Sequence, residues 1–241
     1  MIESLLITVV RVATMYGDQR LTNATGFYFA RNDRLFLVTS RHVVLDEASQ
    51  HRPDRLDIEL HIDRNDVAVV EQRTLPLYRD GAALWRDDSD AGGPLDIATI
   101  ELDRATLPTT MLYEAFSPAN LVKELEEIEV GTRVLVTGFP LGFHDELHRL
   151  PVARQAVIAS SFGLRFQGHG YFLTDARLHR GMSGAPVTAR MPTGESGRSG
   201  LPWYLLGIHS ARMDVSNRDL DQDERLNLNC AWYADALLSL T

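Results

Sequence analysis

Short runs rich in Val, Ile, Leu, Phe and Tyr recur along the whole chain with turn residues between them, and this spacing limits the fold more than any other feature. β-Branched and aromatic residues suit a pleated, half-buried surface, and many short strands punctuated by turns are the pattern of a sandwich or barrel. Candidate strands cover residues 5–14, 25–30, 35–39, 56–62, 67–70, 97–102, 133–137, 151–159, 170–174, 185–188, 203–209 and 226–231. These twelve fit an all-β protein of two six-stranded antiparallel barrels. Two helices are expected as well. One spans residues 117–127, with Ser117 as N-cap and Pro118 at the first helical position, and the other spans residues 232–240 at the C-terminus. Residues 86–93 and 193–200 read as surface loops, and no internal repeat is visible.

The 241 residues are 44% apolar and 24% charged, enough for a substantial core in one large or two small, closely packed units. The net charge of −9 and the lack of a Lys/Arg-rich block argue against a nucleic-acid partner, since phosphate binding needs clustered basic residues. Cys230 is the single cysteine, so no intramolecular disulfide can form and a reducing compartment is permitted. The first eleven residues carry Glu3 and Arg11 around a short apolar core and lack a basic leader, which reads as a first strand and not a signal peptide. No stretch approaches the roughly 20 apolar residues of a membrane span. Cytoplasmic localisation without membrane association is the expectation.

Three segments carry chemistry. In His179-Arg180-Gly181-Met182-Ser183-Gly184-Ala185-Pro186-Val187, glycines flank a serine where backbone N–H groups would have to point at a reacting oxygen. A serine hydroxyl is a poor nucleophile without an adjacent base that is itself held in place. His42 ends the apolar run Leu35-Phe36-Leu37-Val38-Thr39-Ser40-Arg41-His42, and Asp96 opens the run Asp96-Ile97-Ala98-Thr99-Ile100. Taken singly, each has a structural reading: a serine in an ordinary hairpin, a core histidine bonded to a carbonyl, an aspartate capping a turn. Asp88 and Asp90 compete with Asp96 but sit in a looser loop that does not lead straight into a strand.

Together the three segments resemble a trypsin/chymotrypsin-fold serine protease of the HtrA-like branch. The resemblance lies in Val38-Thr39-Ser40-Arg41-His42-Val43-Val44, in Asp96-Ile97-Ala98-Thr99-Ile100, in Thr174-Asp175-Ala176 leading to Gly181-Met182-Ser183-Gly184-Ala185-Pro186, and in Val134-Leu135-Val136-Thr137-Gly138-Phe139-Pro140-Leu141-Gly142. Departures are also legible. Met182 stands where zymogen-derived relatives keep the aspartate that receives a new N-terminus, so activation by propeptide cleavage is not implied. Ala185 replaces the second glycine of the usual SGGP, and no PDZ-sized segment follows.

The resemblance implies a chymotrypsin-like division: an N-terminal barrel over residues 1–108 carrying His42 and Asp96, a linker with a helix over 109–127, and a C-terminal barrel over 128–241 carrying Ser183. It assigns Ser183 as nucleophile, His42 as general base and acid, Asp96 as the group that orients His42, and the amides of Gly181 and Ser183 as the oxyanion hole. Around the primary pocket it places Arg177, Leu178, His209, Ser210, Ala211 and Arg212, with Ser210 supporting the aspartate. His209, in Gly207-Ile208-His209, falls where glutamyl endopeptidases keep a histidine for an acidic or amide side chain, which implies Glu, Asp or Gln at P1. Leu178 counts against this, since those enzymes usually keep a hydroxyl there, and Arg177 and Arg212 read equally well as solvated charges.

The expected partner is a peptide or protein substrate, with no metal and no organic cofactor. His144-Asp145-Glu146-Leu147-His148 spaces two histidines four apart but lacks the Glu directly after the first that the zincin motif needs. Asn23-Ala24-Thr25 matches a glycosylation acceptor without a secretory context. Gly-x-Ser-x-Gly with its Ser-first order is absent, which argues against an esterase of that type. The remaining alternative is a catalytically silent or partner-activated module that uses the fold as a binding or regulatory surface. Oligomeric state is not legible.

Overall fold

The computed structural model describes residues 2–123, 128–192, 201–212 and 227–241. Among them, seven strands form one curled sheet: β1 (Val9–Tyr16), β2 (Gln19–Arg31), β3 (Arg34–Thr39), β4 (Arg55–His61), β5 (Val70–Pro76), β6 (Trp85–Arg86) and β7 (Ala98–Leu102). Their spatial order is β5-β4-β1-β2-β3-β7-β6. Six more form a second curled sheet: β8 (Arg133–Gly138), β9 (Val152–Val157), β10 (Tyr171–Thr174), β11 (Pro186–Arg190), β12 (Trp203–Arg212) and β13 (Asn229–Tyr233), ordered β9-β8-β11-β12-β13-β10. All the pairings are antiparallel, and the fold is chymotrypsin-like.

The hairpins follow from local chemistry. Asn32 and Asp33 link β2 to β3, both in the left-handed region (φ 49° and 62°), which asparagine and aspartate tolerate and a two-residue hairpin turn demands. In β4 the burial alternates: Leu56, Ile58 and Leu60 point into the core, while Glu59 meets Arg11 of β1 at 2.6 Å.

β2 and β3 depart from alternation because both of their faces are covered. Tyr28, Leu35 and Leu37 enter a core with Leu56, Ile58 and Leu60. From the opposite face, Phe27, Phe29 and Val38 enter a second core that also takes Phe116, Phe139, Leu205, Ile208, Leu237 and Leu240. That second core joins the two sheets, and Phe27 meets Phe116 edge-on at 5.7 Å. Side chains of this size each contribute about 1.5–3 kcal/mol when fully buried, so the inter-sheet seam is a major stabilising term. A third core, including Val134, Val136, Phe172 and Val187, fills the second sheet.

Four expectations change. The strand expected over 67–70 forms at Val70–Pro76 instead, because Asp66 accepts the amides of Ala68 and Val69 and turns the chain there. Only one helical turn forms over Pro118–Asn120: buried Asn120 accepts from the Ser117 amide and donates to the Leu201 and Trp203 carbonyls, and Leu121 then bridges to Leu205 in extended form. Residues 124–127 of the expected helix lie outside the described residues. The C-terminal helix is shorter than expected, a turn at Ala234–Ala236 followed by α1 (Leu237–Leu240), because Trp232 and Tyr233 are held in the β13 ladder. The expected loop over 86–93 contains structure instead. Arg86 belongs to β6, and Ser89–Asp90 pairs with Gly93–Pro94. The 193–200 loop and Leu226, the first residue of one expected strand, lie outside the described residues. No helix among the described residues is long and apolar enough to cross a membrane.

Candidate active site

Two neighbouring strand ends bring His42 and Asp96 together. β3 and β7 run antiparallel with Thr39 opposite Ala98, so the residues just after Thr39 and just before Ala98 emerge at the same end. His42 sits in a single helical turn, Arg41–Val44, that follows β3 directly. The Asp96 carboxylate takes the His42 backbone amide on Oδ1 at 2.8 Å and faces the ring Nδ1 with Oδ2 at 2.6 Å. Ser210, on β12, donates its hydroxyl to the same Oδ2. A carboxylate can only accept, so the contact assigns the ring proton to Nδ1 and leaves the Nε2 lone pair as the basic site of the neutral imidazole.

Burial disfavours the charged imidazole, but the hydrogen bond and charge of Asp96, with the charge of Asp46, outweigh it and raise the His42 pKa above the ordinary 6.5. Asp46 is itself held below the usual carboxylate range, chiefly by the Ser49 hydroxyl. His42 therefore binds its proton more tightly than a free imidazole.

Ser183 opens onto the same cleft. The cavity has a volume of about 460 Å³, and His42, Ser183, Gly181, Arg180, Leu141 and Asp46 are among its lining residues. Hydrogen bonding around the serine follows a definite pattern. The Arg180 carbonyl accepts from the Leu141 amide at 2.6 Å, the Gly181 carbonyl from the Thr25 hydroxyl at 2.7 Å, and the Ser183 carbonyl from the Thr25 amide at 3.0 Å. The amides of Met182, Gly184 and Ala185 donate to the carbonyls of His179, His209 and Met182. Among the described residues, the amides of Gly181 and Ser183 donate to nothing. Both belong to cleft-lining residues, in a segment where buried N–H groups are ordinarily paired.

Glycine is required on each side of the serine. Gly181 and Gly184 have φ of +93° and +85°. A Cβ on Gly181 would lie 2.4 Å from the Phe139 carbonyl, and one on Gly184 would lie 2.2 Å from the Thr25 carbonyl and 2.4 Å from the Thr39 hydroxyl. Gly184→Ala is therefore expected to cost about 3 kcal/mol or more, from left-handed strain plus overpacking. For a chain of this size that lowers the Tm by roughly 6–12 °C. A calorimetric scan in which the variant melts within about 2 °C of wild type would contradict this packing account.

The other residues singled out from the sequence are spread differently. Arg177 is exposed, and Leu178 is buried in the core of the second sheet. Ser210 is buried beside Asp96. His209 is 4% exposed, and burial, reinforced by the nearby His42 charge, pushes its pKa down to about 3, so it stays neutral. Among the described residues, its Nδ1 is buried without a hydrogen-bond partner. Ala211 and Arg212 end β12, and their side chains lie outside the described residues. The Nδ1 atoms of His144 and His148 face the Gly142 carbonyl and the Asp145 carboxylate, respectively. Thr25, Asp46 and Leu141, which sequence reasoning did not select, touch the site. Thr25 was marked only as the start of a strand and by the glycosylation match, yet its side chain is fully buried.

Residues 24–192, well over half of the chain, match the model of the trypsin-like peptidase domain. The chain belongs to the trypsin-like peptidase family. Solved structures similar to this trypsin-like peptidase include two of the HtrA-type protease AlgW with a tripeptide, with TM-scores of 0.58 and 0.57 and identities of 15% and 16%. Another is a serine endoprotease from Yersinia pestis, with a TM-score of 0.55 and 15% identity. Each covers 98% of this chain, whereas the match spans 59% of each AlgW chain and 62% of the Yersinia chain. At these identities the likeness speaks for the fold. No curated protein sequence matches the chain.

Proposed function

We propose that this trypsin-like peptidase is a serine endopeptidase that hydrolyses peptide bonds through an acyl-enzyme. The observation that carries the reading is the oriented His42–Asp96 pair in a cleft that Ser183 also lines. In this reading His42 Nε2 takes the proton of the Ser183 hydroxyl as Oγ attacks the substrate carbonyl carbon. The carbonyl oxygen becomes an oxyanion, and the unspent amides of Gly181 and Ser183 are the donors that would receive it. Protonated His42 then gives its proton to the leaving amine, and the C–N bond breaks. Water, deprotonated by His42 in turn, releases the acyl group and regenerates Ser183. Asp96 keeps the imidazole in the required tautomer and stabilises its charged form, while Ser210 donates to the same carboxylate oxygen that faces the ring.

The proposal extends to P1, where Glu, Gln or Asp is preferred. Support comes from His209, a neutral imidazole on β12 directly before Ser210, which does not itself line the cavity of His42 and Ser183 but whose buried Nδ1 has no hydrogen-bond partner among the described residues, a cost that a polar P1 side chain reaching it would relieve. Incubating the protein with a proteome-derived peptide library and sequencing the new termini tests turnover and P1 choice together. New internal termini enriched in Glu, Gln or Asp at P1 are expected. No termini above a Ser183→Ala control would contradict the peptidase reading, and equal cleavage after Leu and Glu would contradict the P1 assignment alone.

A further inference from the structure

We infer that Thr25 is the positioning residue that couples the His42 sheet to the nucleophile loop and sets the oxyanion-binding conformation; the inference rests on the peptidase reading above. The β2–β3 ladder ends at Phe27 opposite Val38, so the edge of β2 at Thr25 is open. The nucleophile loop takes that edge. The Thr25 amide donates to the Ser183 carbonyl at 3.0 Å, and its hydroxyl donates to the Gly181 carbonyl at 2.7 Å while accepting the Phe139 amide at 3.1 Å. Its own carbonyl accepts the Thr39 hydroxyl at 2.8 Å, three residues before His42. Every polar atom of this fully buried residue is thereby committed.

The consequence for the site is geometric. Gly181 is flanked by two peptide planes, one fixed through the Arg180 carbonyl on Leu141 and the other through its own carbonyl on Thr25. Ser183 is fixed likewise, through the Met182 carbonyl on Ala185 and its own carbonyl on Thr25. Because peptide planes are rigid, the Arg180 and Met182 anchors set where the unspent amides of Gly181 and Ser183 point, and the two Thr25 bonds fix the planes that follow each of those residues. A hydroxyl is needed at position 25 because the same oxygen both donates and accepts, which valine cannot do and serine can. Without it, the Gly181–Met182 plane keeps only the bond of the Met182 amide to the His179 carbonyl, next to a glycine that resists few rotations.

Steady-state kinetics on one peptide substrate, with titration of a matching peptide boronate as a tetrahedral mimic, tests this across Thr25→Val, Thr25→Ala and Thr25→Ser. The Val and Ala variants are expected to lose about a hundredfold in kcat with KM within about twofold, and to lose boronate affinity in proportion, as for a lost oxyanion donor. Thr25→Ser is expected to keep kcat within about threefold of wild type. The Ala and Ser variants both lack the methyl group and differ in the hydroxyl alone, so their contrast stands even if Thr25→Val fails to fold. Wild-type turnover combined with a Thr25→Ala variant as active as Thr25→Ser would overturn the role of Thr25 and leave the peptidase reading intact. A wild-type protein that neither cleaves nor binds the boronate would overturn the peptidase reading, and this inference with it.

Discussion

Ser183→Ala is expected to lower kcat for peptide hydrolysis by about 10⁶-fold, because under the proposed function it removes the nucleophile of a triad that acts as one unit. Folding should survive. Ser183 is only half-buried, and the contacts of its backbone carbonyl with Thr25 do not involve the side chain. Near-identical melting of the variant and wild type, together with loss of turnover in a progress-curve assay, is therefore the expected pair of results. Retained turnover would place the chemistry elsewhere in the molecule.

Asp96→Asn is expected to lower kcat by about 10⁴-fold and to change the pH profile as well. The carboxylate receives the His42 amide, the His42 ring and the Ser210 hydroxyl, and an amide cannot accept from all three with the same tautomer in place. The direction of the pH effect follows from the forces on the imidazole. In the wild type, Asp96 and Asp46 raise the His42 pKa against the effect of burial. Since His42 must be unprotonated to act as base, kcat/KM should fall as the pH drops through a midpoint above 6.5, the ordinary imidazole value. Removing the Asp96 charge leaves burial with less opposition, so the residual activity of Asp96→Asn should show a midpoint at lower pH. A midpoint that stays in place, or that moves upward, would contradict the assignment of Asp96 as the partner of His42.

Much of the candidate site was legible because its residues sit at strand ends that the apolar runs already mark. The run through Leu37 and Val38 stops at His42, the run through Ile97 and Ile100 begins at Asp96, and antiparallel pairing of the two brings those ends together. Gly181 and Gly184 were legible for a related reason, since only glycine suits a positive φ at places where a Cβ would come within 2.4 Å of a backbone carbonyl. Thr25 was hidden. Its value comes from bonds to residues more than a hundred positions away, and a lone threonine before a glycine carries no local signal of that.

Local signals also misled where tertiary partners override them. Ser117 and Pro118 read as the start of a full helix, but Asn120 is drawn to the carbonyls of Leu201 and Trp203, and the helix stops after one turn. Trp232 and Tyr233 read as the start of the C-terminal helix, but pairing with β10 and β12 holds them in a strand. The inter-sheet core built on Phe27, Phe29 and Phe139 explains why β2 and β3 lack alternation, a pattern that shows double burial without naming the second partner.

The most direct test of the central claim is to treat the folded protein with a fluorophosphonate and locate the adduct by peptide mass spectrometry. A Ser183 hydroxyl activated by His42 predicts one phosphonylated peptide, carrying the adduct on Ser183 and disappearing when His42 is replaced by alanine. An unmodified Ser183 under conditions that fully label a known serine peptidase, or an adduct that forms equally well without His42, would contradict it.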